Sequence, residues 1–289
     1  MKLRASHVIE YLALRKLELL VNLLPRPAAL LLGRLAGTLL YRAGVYRSVV
    51  RANMVAARLG DEAAMARVTR SLYRTMGMYV ADFLRDQRKL PVCGTPDLAL
   101  VRGLLNGKKG VMAVLGHFGN WEMLAAVFGG ALPLSVVAMP MHNPLVERWL
   151  ERKRQRCGVE IIKRRHALQK IFGTLRGNGV VAALVDQYIG SESAPVPFLG
   201  VMTRTVQGVA GLIERTGCAV VYTYALLDED RGYRVYVSEG APVGGDGIEE
   251  RMKARQRQHN DILSGWIRQH PEHWFGWFHK RFKDVVTYR

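Results

Sequence analysis

The spacing of apolar and polar positions changes near residue 90. Before that point apolar residues recur at helical intervals, as in LLGRLAGTLLYRAG and DEAAMARVTRSLYRTMGMYVADFLRDQ, which predicts amphipathic helices. The joint LPVCGTP, from Leu90 to Pro96, is rich in turn-forming residues. We therefore predict an N-terminal helical segment over residues 1–90 and a second unit over residues 91–289.

After the joint, short apolar runs alternate with helical stretches. The runs are VMAVLG, LSVVAM, VEIIK, VVAALVD and AVVYTYALL. This alternation predicts an α/β fold with a mostly parallel central sheet flanked by helices. AVVYTYALL and YRVYVSE are close in sequence, so we expect them to form an antiparallel hairpin. The uncharged stretch Met123–Met141 is long enough to span a membrane, but its glycines and prolines predict a helix, a turn and a buried strand.

The N-terminal helices combine apolar and basic residues. Glu10, Arg15 and Lys16 interrupt the first apolar run, which argues against a cleavable signal, and Arg34 shortens the second. Residues 1–60 hold ten Lys and Arg but two acidic residues, as expected beside an anionic leaflet. Two interpretations stay open: helices lying in or on a membrane interface, or a helical lid packed on the core.

Composition narrows the class of protein. The chain has 289 residues, 49% of them hydrophobic, and 42 Lys and Arg against 24 Asp and Glu, for a net charge of +18. The hydrophobic content excludes disorder, and the charge favours an anionic partner: a membrane surface, an acidic substrate or nucleic acid. Cys93, Cys157 and Cys218 are odd in number and widely spaced, which argues against a disulfide framework or a structural zinc site.

The motif HFGNWE directly follows the apolar run VMAVLG. His117 is thereby placed at the carboxyl end of a strand, where open α/β sheets bind ligands, and Gly119 permits close approach of a substrate. If Asn120 or Trp121 begins a helix, Glu122 folds back towards the imidazole and orients it as a general base. The motif has no serine or cysteine, so we expect a substrate hydroxyl to be the nucleophile. The alternative is a buried structural histidine followed by an ordinary helix-start acid.

HFGNWE is also the HX4E form of a known acyltransferase box. Over nearly its whole length the chain resembles the lipid A late acyltransferase branch (lauroyl and myristoyl transferases) of the glycerolipid and lysophospholipid acyltransferase superfamily. The resemblance rests on HFGNWE and on four further segments: LLPRPAALLLGRLAGTLLYRAG, HNPLVERWLERKRQRCG, VDQYIG with VPFLGVMTRTVQGVAGLIERTGCAVV, and PEHWFGWFHKRFK.

This resemblance implies a reaction and a place for it. A fatty acyl group would pass from an acyl-ACP or acyl-CoA thioester to a hydroxyl of a membrane glycolipid, with His117 and Glu122 as the catalytic dyad. No metal and no cofactor beyond the thioester co-substrate are implied. The expected location is the cytoplasmic face of the inner membrane, where the chain would lie at the surface and bind its anionic lipids.

Further candidate residues flank the motif. Arg152 and Arg156 share one face of the basic helix after HNPLVE and would bind a phosphate of the acceptor or the acidic helix of the carrier protein; the alternative is a solvated face. Asp186 and Gln187 end the strand VVAALVD. We expect Asp186 to bind the sugar of the acceptor or to anchor Arg204, the alternative being a strand-end acid that caps a turn.

Two later segments complete the predicted site. Arg204 and Thr205 precede the helix VQGVAGLIERTG, whose first backbone amides would hold a phosphate or the thioester oxyanion, and PVPFLG would form an apolar lip for the acyl chain. In PEHWFGWFHKRFK aromatic residues alternate with cations, which suits a membrane interface or single-stranded nucleic acid; the resemblance favours the membrane. The predicted substrate-binding residues are Gly119, Asn120, Trp121, Arg152, Arg156, Asp186, Gln187, Arg204, His279 and Arg281.

The chain departs from the family pattern before HNP, where Met141 and His142 stand in place of the usual arginine, and at Lys280, where arginine is more usual. These departures leave other acceptors open, such as a phosphatidylinositol mannoside or an aminolipid. A non-catalytic lipid-binding protein on the same scaffold is a second alternative. Binding to nucleic acid ranks last, because the sequence offers no motif of a known nucleic-acid-binding fold.

Overall fold

The computed structural model describes residues 3–93, 98–163, 167–188 and 193–288. The end of the predicted joint, residues 94–97, therefore lies outside the described residues. The α-helices are Ala5–Leu23 (α1), Arg26–Arg42 (α2), Arg47–Ala56 (α3), Glu62–Leu84 (α4), Leu98–Asn106 (α5), Trp121–Gly129 (α6), Pro144–Arg156 (α7), Ala167–Arg176 (α8), Gly208–Thr216 (α9) and Ile248–Gln269 (α10). The strands are Val111–Leu115 (β1), Leu134–Ala138 (β2), Glu160–Lys163 (β3), Val180–Leu184 (β4), Ser193–Phe198 (β5), Val201–Val206 (β6), Ala219–Asp228 (β7) and Gly232–Glu239 (β8).

Six strands form the central sheet, in the order β3-β2-β4-β1-β7-β8. Strands β3, β2, β4, β1 and β7 are parallel, and β8 pairs antiparallel with β7. The predicted α/β fold and the β7–β8 hairpin are thus confirmed. The uncharged stretch 123–141 folds as α6, a turn and β2, so its interpretation as core is also confirmed.

Strand β1 lies between β4 and β7 and is buried along its whole length. A strand covered on both faces needs an uninterrupted apolar run, which VMAVL supplies. Because β1 and β4 run parallel with Leu115 opposite Leu184, the residues that follow both strands emerge at the same edge of the sheet. This register brings the segments after residues 115 and 184 together at the candidate site.

The helices α2 and α4 pack with their backbones in contact. A Cβ atom added to Gly77 would lie 2.0 Å from the carbonyl oxygen of Gly33, and one added to Gly37 would lie 2.0 Å from that of Tyr73. Only glycine fits at these positions. The contact holds α2 and α4 together as a pair.

The helix α4 also joins the main core. Leu72, Met76 and Tyr79 belong to the same hydrophobic cluster as the sheet strands, whereas Val21 and Ala29 pack with Trp149 in a second, smaller cluster. The boundary at residue 90 stays a prediction.

By length and hydropathy, no single described helix qualifies as a membrane span. The pair α2 and α3, bent by 84°, meets the criterion only when the two are taken together. Membrane docking of the N-terminal helices stays a prediction.

The segment predicted to form an acyl-chain lip folds differently. Strands β5 and β6 form a separate antiparallel hairpin, and Phe198 and Leu199 are buried in the core. PVPFLG is therefore not an open loop, and this prediction is wrong. Its apolar residues are used for packing.

We expect Gly77→Ala to lower the free energy of unfolding by about 1–3 kcal/mol, because its methyl group forces α2 and α4 apart. Gly103→Ala in α5 is the matched control. A Cβ atom there meets nothing within 4 Å, so this variant should be neutral or more stable by up to ~1 kcal/mol. Urea denaturation of both variants checks the prediction, and equal stability of the two would contradict it.

Candidate active site

The imidazole of His117 lies just beyond the end of β1 and is held by Asp186. Its Nδ1 is 2.8 Å from Oδ1 of Asp186, and the backbone N–H of His117 donates to Oδ2 of the same carboxylate at 2.8 Å. Asp186 follows β4, so the parallel pairing of β1 with β4 creates this contact. One carboxylate thus fixes both the ring and the loop that carries it.

A third donor completes the environment of Asp186. Nε1 of Trp274 donates to Oδ2 of Asp186 at 2.7 Å, and Asp186 is 1% exposed. Burial opposes ionisation, but the charge of His117 and the hydrogen bonds from His117 and Trp274 outweigh it, so the pKa of Asp186 lies below its usual value. An ionised Asp186 keeps the proton of the neutral imidazole on Nδ1 and leaves Nε2 as an acceptor.

The free nitrogen of His117 faces a small group of polar and aromatic side chains. Nε2 of Gln187 is 3.3 Å from Nε2 of His117. The ring of Trp121 meets the imidazole edge-on at 5.0 Å between centroids, and that of Phe275 lies at 6.4 Å. The structure therefore places Gln187 and Trp121 beside the imidazole, in keeping with the sequence prediction, while their contact with a substrate stays a prediction.

Glu122 does not contact His117 as predicted. Its carboxylate accepts hydrogen bonds from Nε and Nη2 of Arg154 on α7, at 3.1 and 2.5 Å. Because α6 begins at Trp121, Trp121 faces the imidazole and Glu122 turns towards α7. The prediction that Glu122 orients the ring is wrong, and Asp186 occupies that position instead.

The side chain of Asn120 forms hydrogen bonds to the first turn of α6 and to β8. Its Oδ1 accepts from the backbone N–H of Met123 at 3.0 Å, capping α6, and its Nδ2 donates to the hydroxyl of Tyr233 at 2.9 Å. It is 4% exposed. Both groups of the side-chain amide are used inside the protein, and the contact of Asn120 with a substrate stays a prediction.

Gly119 permits a tight turn beside β7. Its φ is +66°, and a Cβ atom would lie 2.0 Å from the carbonyl oxygen of Ala225. Its N–H donates to the carbonyl of His273, while the N–H of Phe275 donates to the carbonyl of His117. Backbone hydrogen bonds therefore dock the C-terminal segment 273–275 directly onto the loop that carries His117.

Arg281 is a structural residue. It is 0% exposed, and its guanidinium donates to the hydroxyls of Thr203 and Thr205 and to the carbonyl of Arg204. Burial lowers its pKa to about 10. A side chain enclosed in this way cannot contact a substrate, so that prediction is wrong.

The backbone N–H of Arg204 bonds within the protein and does not hold an anion as predicted, while contact of its 48% exposed side chain with a substrate stays a prediction. Arg204 and Thr205 lie in β6, and the following helix begins at Gly208. The N–H of Arg204 donates to Oδ2 of Asp284 at 2.9 Å, and its side chain lies 3.7 Å from the same carboxylate. The predicted anchoring of Arg204 by Asp186 fails for the same reason, and the burial of Asp186 rules out the predicted contact with a sugar.

The remaining predicted substrate-binding residues differ in their exposure to solvent. His279 is half-buried; burial lowers its pKa, while the nearby charge of Asp186 opposes that shift. Arg152 and Arg156 are exposed on α7, and Arg156 lines a polar cavity together with Lys153 and Arg88. Substrate binding by these three residues stays a prediction.

Beside the imidazole loop lies an apolar cavity of about 200 Å³, which we call the site cavity. It is bordered by α4, by the four consecutive residues from Gly119 to Glu122, and by Phe275. In the part of the chain that the structure describes, no group of three or more His, Cys, Asp or Glu residues is arranged to hold a metal ion. The arrangement provides an oriented base next to an apolar space, which suits proton abstraction from a hydroxyl of an amphiphile.

Comparison with known proteins gives a consistent result. Residues 3–284 match the family described as "Bacterial lipid A biosynthesis acyltransferase". The chain is 28% identical over 222 residues to the lipid A biosynthesis palmitoleoyltransferase of Escherichia coli (strain K12), covering 73% of this chain and 70% of that protein. The lipid A biosynthesis acyltransferase of Shigella flexneri matches with the same identity and coverage. The family match spans both the N-terminal helices and the sheet, and the chain therefore belongs to the bacterial lipid A biosynthesis acyltransferase family and is an acyltransferase.

Proposed function

We propose that this protein transfers a fatty acyl group from an acyl-ACP or acyl-CoA thioester to a hydroxyl of a lipid A-like acceptor. The observation that carries the proposal is the His117–Asp186 pair beside the apolar site cavity. Family membership supports an acyl donor and a lipid acceptor. Activation of the acceptor hydroxyl needs a base that a substrate can reach, and the side chain of His117 is 19% exposed.

In the proposed reaction one proton is transferred, and the C–S bond of the thioester is replaced by the C–O bond of an ester. Nε2 of His117 takes the proton of the acceptor hydroxyl while the oxygen attacks the thioester carbonyl carbon. The tetrahedral intermediate then collapses, the C–S bond breaks, and the imidazolium returns the proton to the departing thiolate. Asp186 stabilises the imidazolium between the two steps without being protonated. General-base assistance of this kind contributes ~10²–10⁴-fold.

Gln187 is placed to respond to the substrate. In the structure its Nε2 lies within hydrogen-bond distance of the nitrogen that must accept the proton of the acceptor. Binding of the acceptor hydroxyl therefore displaces this amide from the imidazole. The released N–H group is close enough to the reacting atoms to donate to the oxygen of the tetrahedral intermediate.

We further propose that the protein works at the cytoplasmic face of the inner membrane, attached through its N-terminal helices. Leu31, Leu35 and Leu39 follow one face of α2 and are 53, 53 and 64% exposed. Exposed leucines also lie on α1, among them Leu12 and Leu19. Apolar side chains on helices with a strong basic excess suit an anionic membrane interface.

His117→Ala should abolish acyl transfer and leave the fold intact. The measurement is mass spectrometry of total lipids from cells that carry the wild-type protein, the variant or neither. We expect one lipid to gain the mass of a single acyl group only with the wild-type protein, which also names the acceptor and the chain. If no lipid changes mass, the chain would instead be a lipid-binding protein on the same scaffold.

Asp186→Asn should lower kcat by about 10³–10⁴-fold, because the amide favours the wrong tautomer of His117. Glu122→Gln and Arg154→Gln act on a separate ion pair. We expect these two to reduce activity by similar factors and their combination to be no worse than either alone. Steady-state kinetics and thermal melts on all four variants check this. Full activity of Asp186→Asn would refute the assigned role of Asp186.

Replacing Leu31, Leu35 and Leu39 together by serine should weaken binding to vesicles that contain anionic phospholipid at least tenfold. Each exposed leucine that enters the interface contributes part of the ~1.5–3 kcal/mol of a fully buried side chain. Leu168→Ser, at a 64% exposed position on α8, is the control. Co-sedimentation gives the measurement, and unchanged binding of the triple variant would exclude α2 from the contact.

A further inference from the structure

A second apolar cavity, of about 360 Å³, runs along the N-terminal helices. We call it the α2–α4 groove. Its floor is formed where α2 and α4 touch, at Gly33, Gly37 and Gly77, and its walls include Leu17 of α1 and Phe278. The glycines bring the two backbones together and leave the floor without side chains. A narrow trough lined almost wholly by apolar atoms suits an alkyl chain.

The α2–α4 groove adjoins the site cavity. Met76, Val80 and Phe275 line both. The ring of Phe275 lies 5.8 Å from that of Trp121 and 6.4 Å from the imidazole of His117, between centroids. An alkyl chain in the groove therefore lies next to Phe275, one of the aromatic residues beside the imidazole of His117.

We propose that the α2–α4 groove holds an alkyl chain that the acceptor lipid already carries when its hydroxyl reaches His117. This inference rests on the proposed function, because it requires a lipid acceptor and a catalytic imidazole. The groove follows α4 from Tyr73 to Leu84, a distance of ~16 Å at the rise of an α-helix. That length accommodates a large part of a fatty acyl chain.

The position of the groove favours the acceptor lipid, rather than the acyl donor, as the source of the alkyl chain that the groove holds. Its lining includes Leu17, Leu40 and Val80, which are 42, 50 and 53% exposed, so the groove is open to the surroundings on the same helices that we propose to bind the membrane. A lipid embedded in a bilayer enters sideways through such an opening. The donor is carried on a water-soluble thioester and does not need this route.

Charged residues at one end of the groove also favour an acceptor lipid as the molecule that binds there. Leu84 lines both the groove and the polar cavity, whose lining includes Arg88, Lys153 and Arg156. Lys153 is largely buried, and burial lowers its pKa although the carboxylate of Glu18 opposes the shift. The same cavity also holds Glu18 and Asp86, but its three cations outnumber these two carboxylates. It therefore complements a lipid that joins an alkyl chain to an anionic head group.

Val80→Trp tests the proposal, because Val80 lines the groove where it adjoins the site cavity and the larger ring fills that space. Val80 is exposed, so the fold should tolerate the larger ring. Val55→Trp is the matched control: Val55 is 46% exposed on α3 and lies outside both cavities. Thermal melts verify that both variants fold. The acceptor is under-acylated lipid A in detergent micelles, and the donors are acyl-ACP and acyl-CoA of increasing chain length.

We expect Val80→Trp to raise KM for the acceptor at least tenfold, with KM for the donor and the order of preferred donor chain lengths unchanged. Val55→Trp should match the wild type. A shift of the preferred donor towards shorter chains with an unchanged KM for the acceptor would overturn the proposal and assign the groove to the donor. An unchanged KM for the acceptor together with an unchanged preference for donor chain length would also overturn the proposal.

Failure of the proposed function gives a different result. In that case the wild-type protein transfers no acyl group from either thioester. Equilibrium binding of radiolabelled under-acylated lipid A to the wild type, to Val80→Trp and to Val55→Trp then still tests the groove. Loss of binding in Val80→Trp alone supports an alkyl-chain site, and equal binding by all three excludes it.

Discussion

The site depends on one buried carboxylate, that of Asp186. Three donors converge on it: the ring and the backbone N–H of His117, and the indole of Trp274. His117, Trp274 and Asp186 come from three distant parts of the chain, which meet because β1 and β4 are neighbours and because the C-terminal segment docks on the loop that carries His117. A buried charge satisfied in this way is costly to disturb, so the carboxylate fixes the tautomer of the base and the relative position of the three segments.

The N-terminal helices contribute to the same arrangement from outside the sheet. The side chain of Asn53 on α3 donates to the carbonyls of Trp277 and His279, and the hydroxyl of Tyr79 on α4 lies 2.6 Å from Nδ1 of His273. These bonds hold the segment that supplies Trp274 to Asp186. The N-terminal helices are therefore linked by hydrogen bonds to the segment that contains Trp274, and Trp274 in turn contacts Asp186.

Local patterns predicted the fold well and the site only in part. The alternation of apolar runs with helical stretches gave the parallel sheet, and the strand before HFGNWE placed His117 at its carboxyl edge. The partner of His117 was missed because it is set by strand order: Asp186 is distant in sequence and adjacent only once β4 lies beside β1. Glu122 was favoured because it is near in sequence, although the first turn of α6 points it at Arg154. Arg281 and Trp274 resemble interfacial residues in sequence, and only tertiary packing reveals that they are buried.

The aromatic rings around His117 have a consequence for fidelity. A base that activates a hydroxyl beside a thioester would activate water equally well, and hydrolysis would then waste the donor. Trp121 and Phe275 cover two sides of the imidazole, while Gln187 lies against its free nitrogen. A solvent molecule bound there would give up most of its own hydrogen bonds, whereas an amphiphile brings apolar atoms that fit this surface. Discrimination between alcohol and water can thus arise from what surrounds the base, without any change in its basicity.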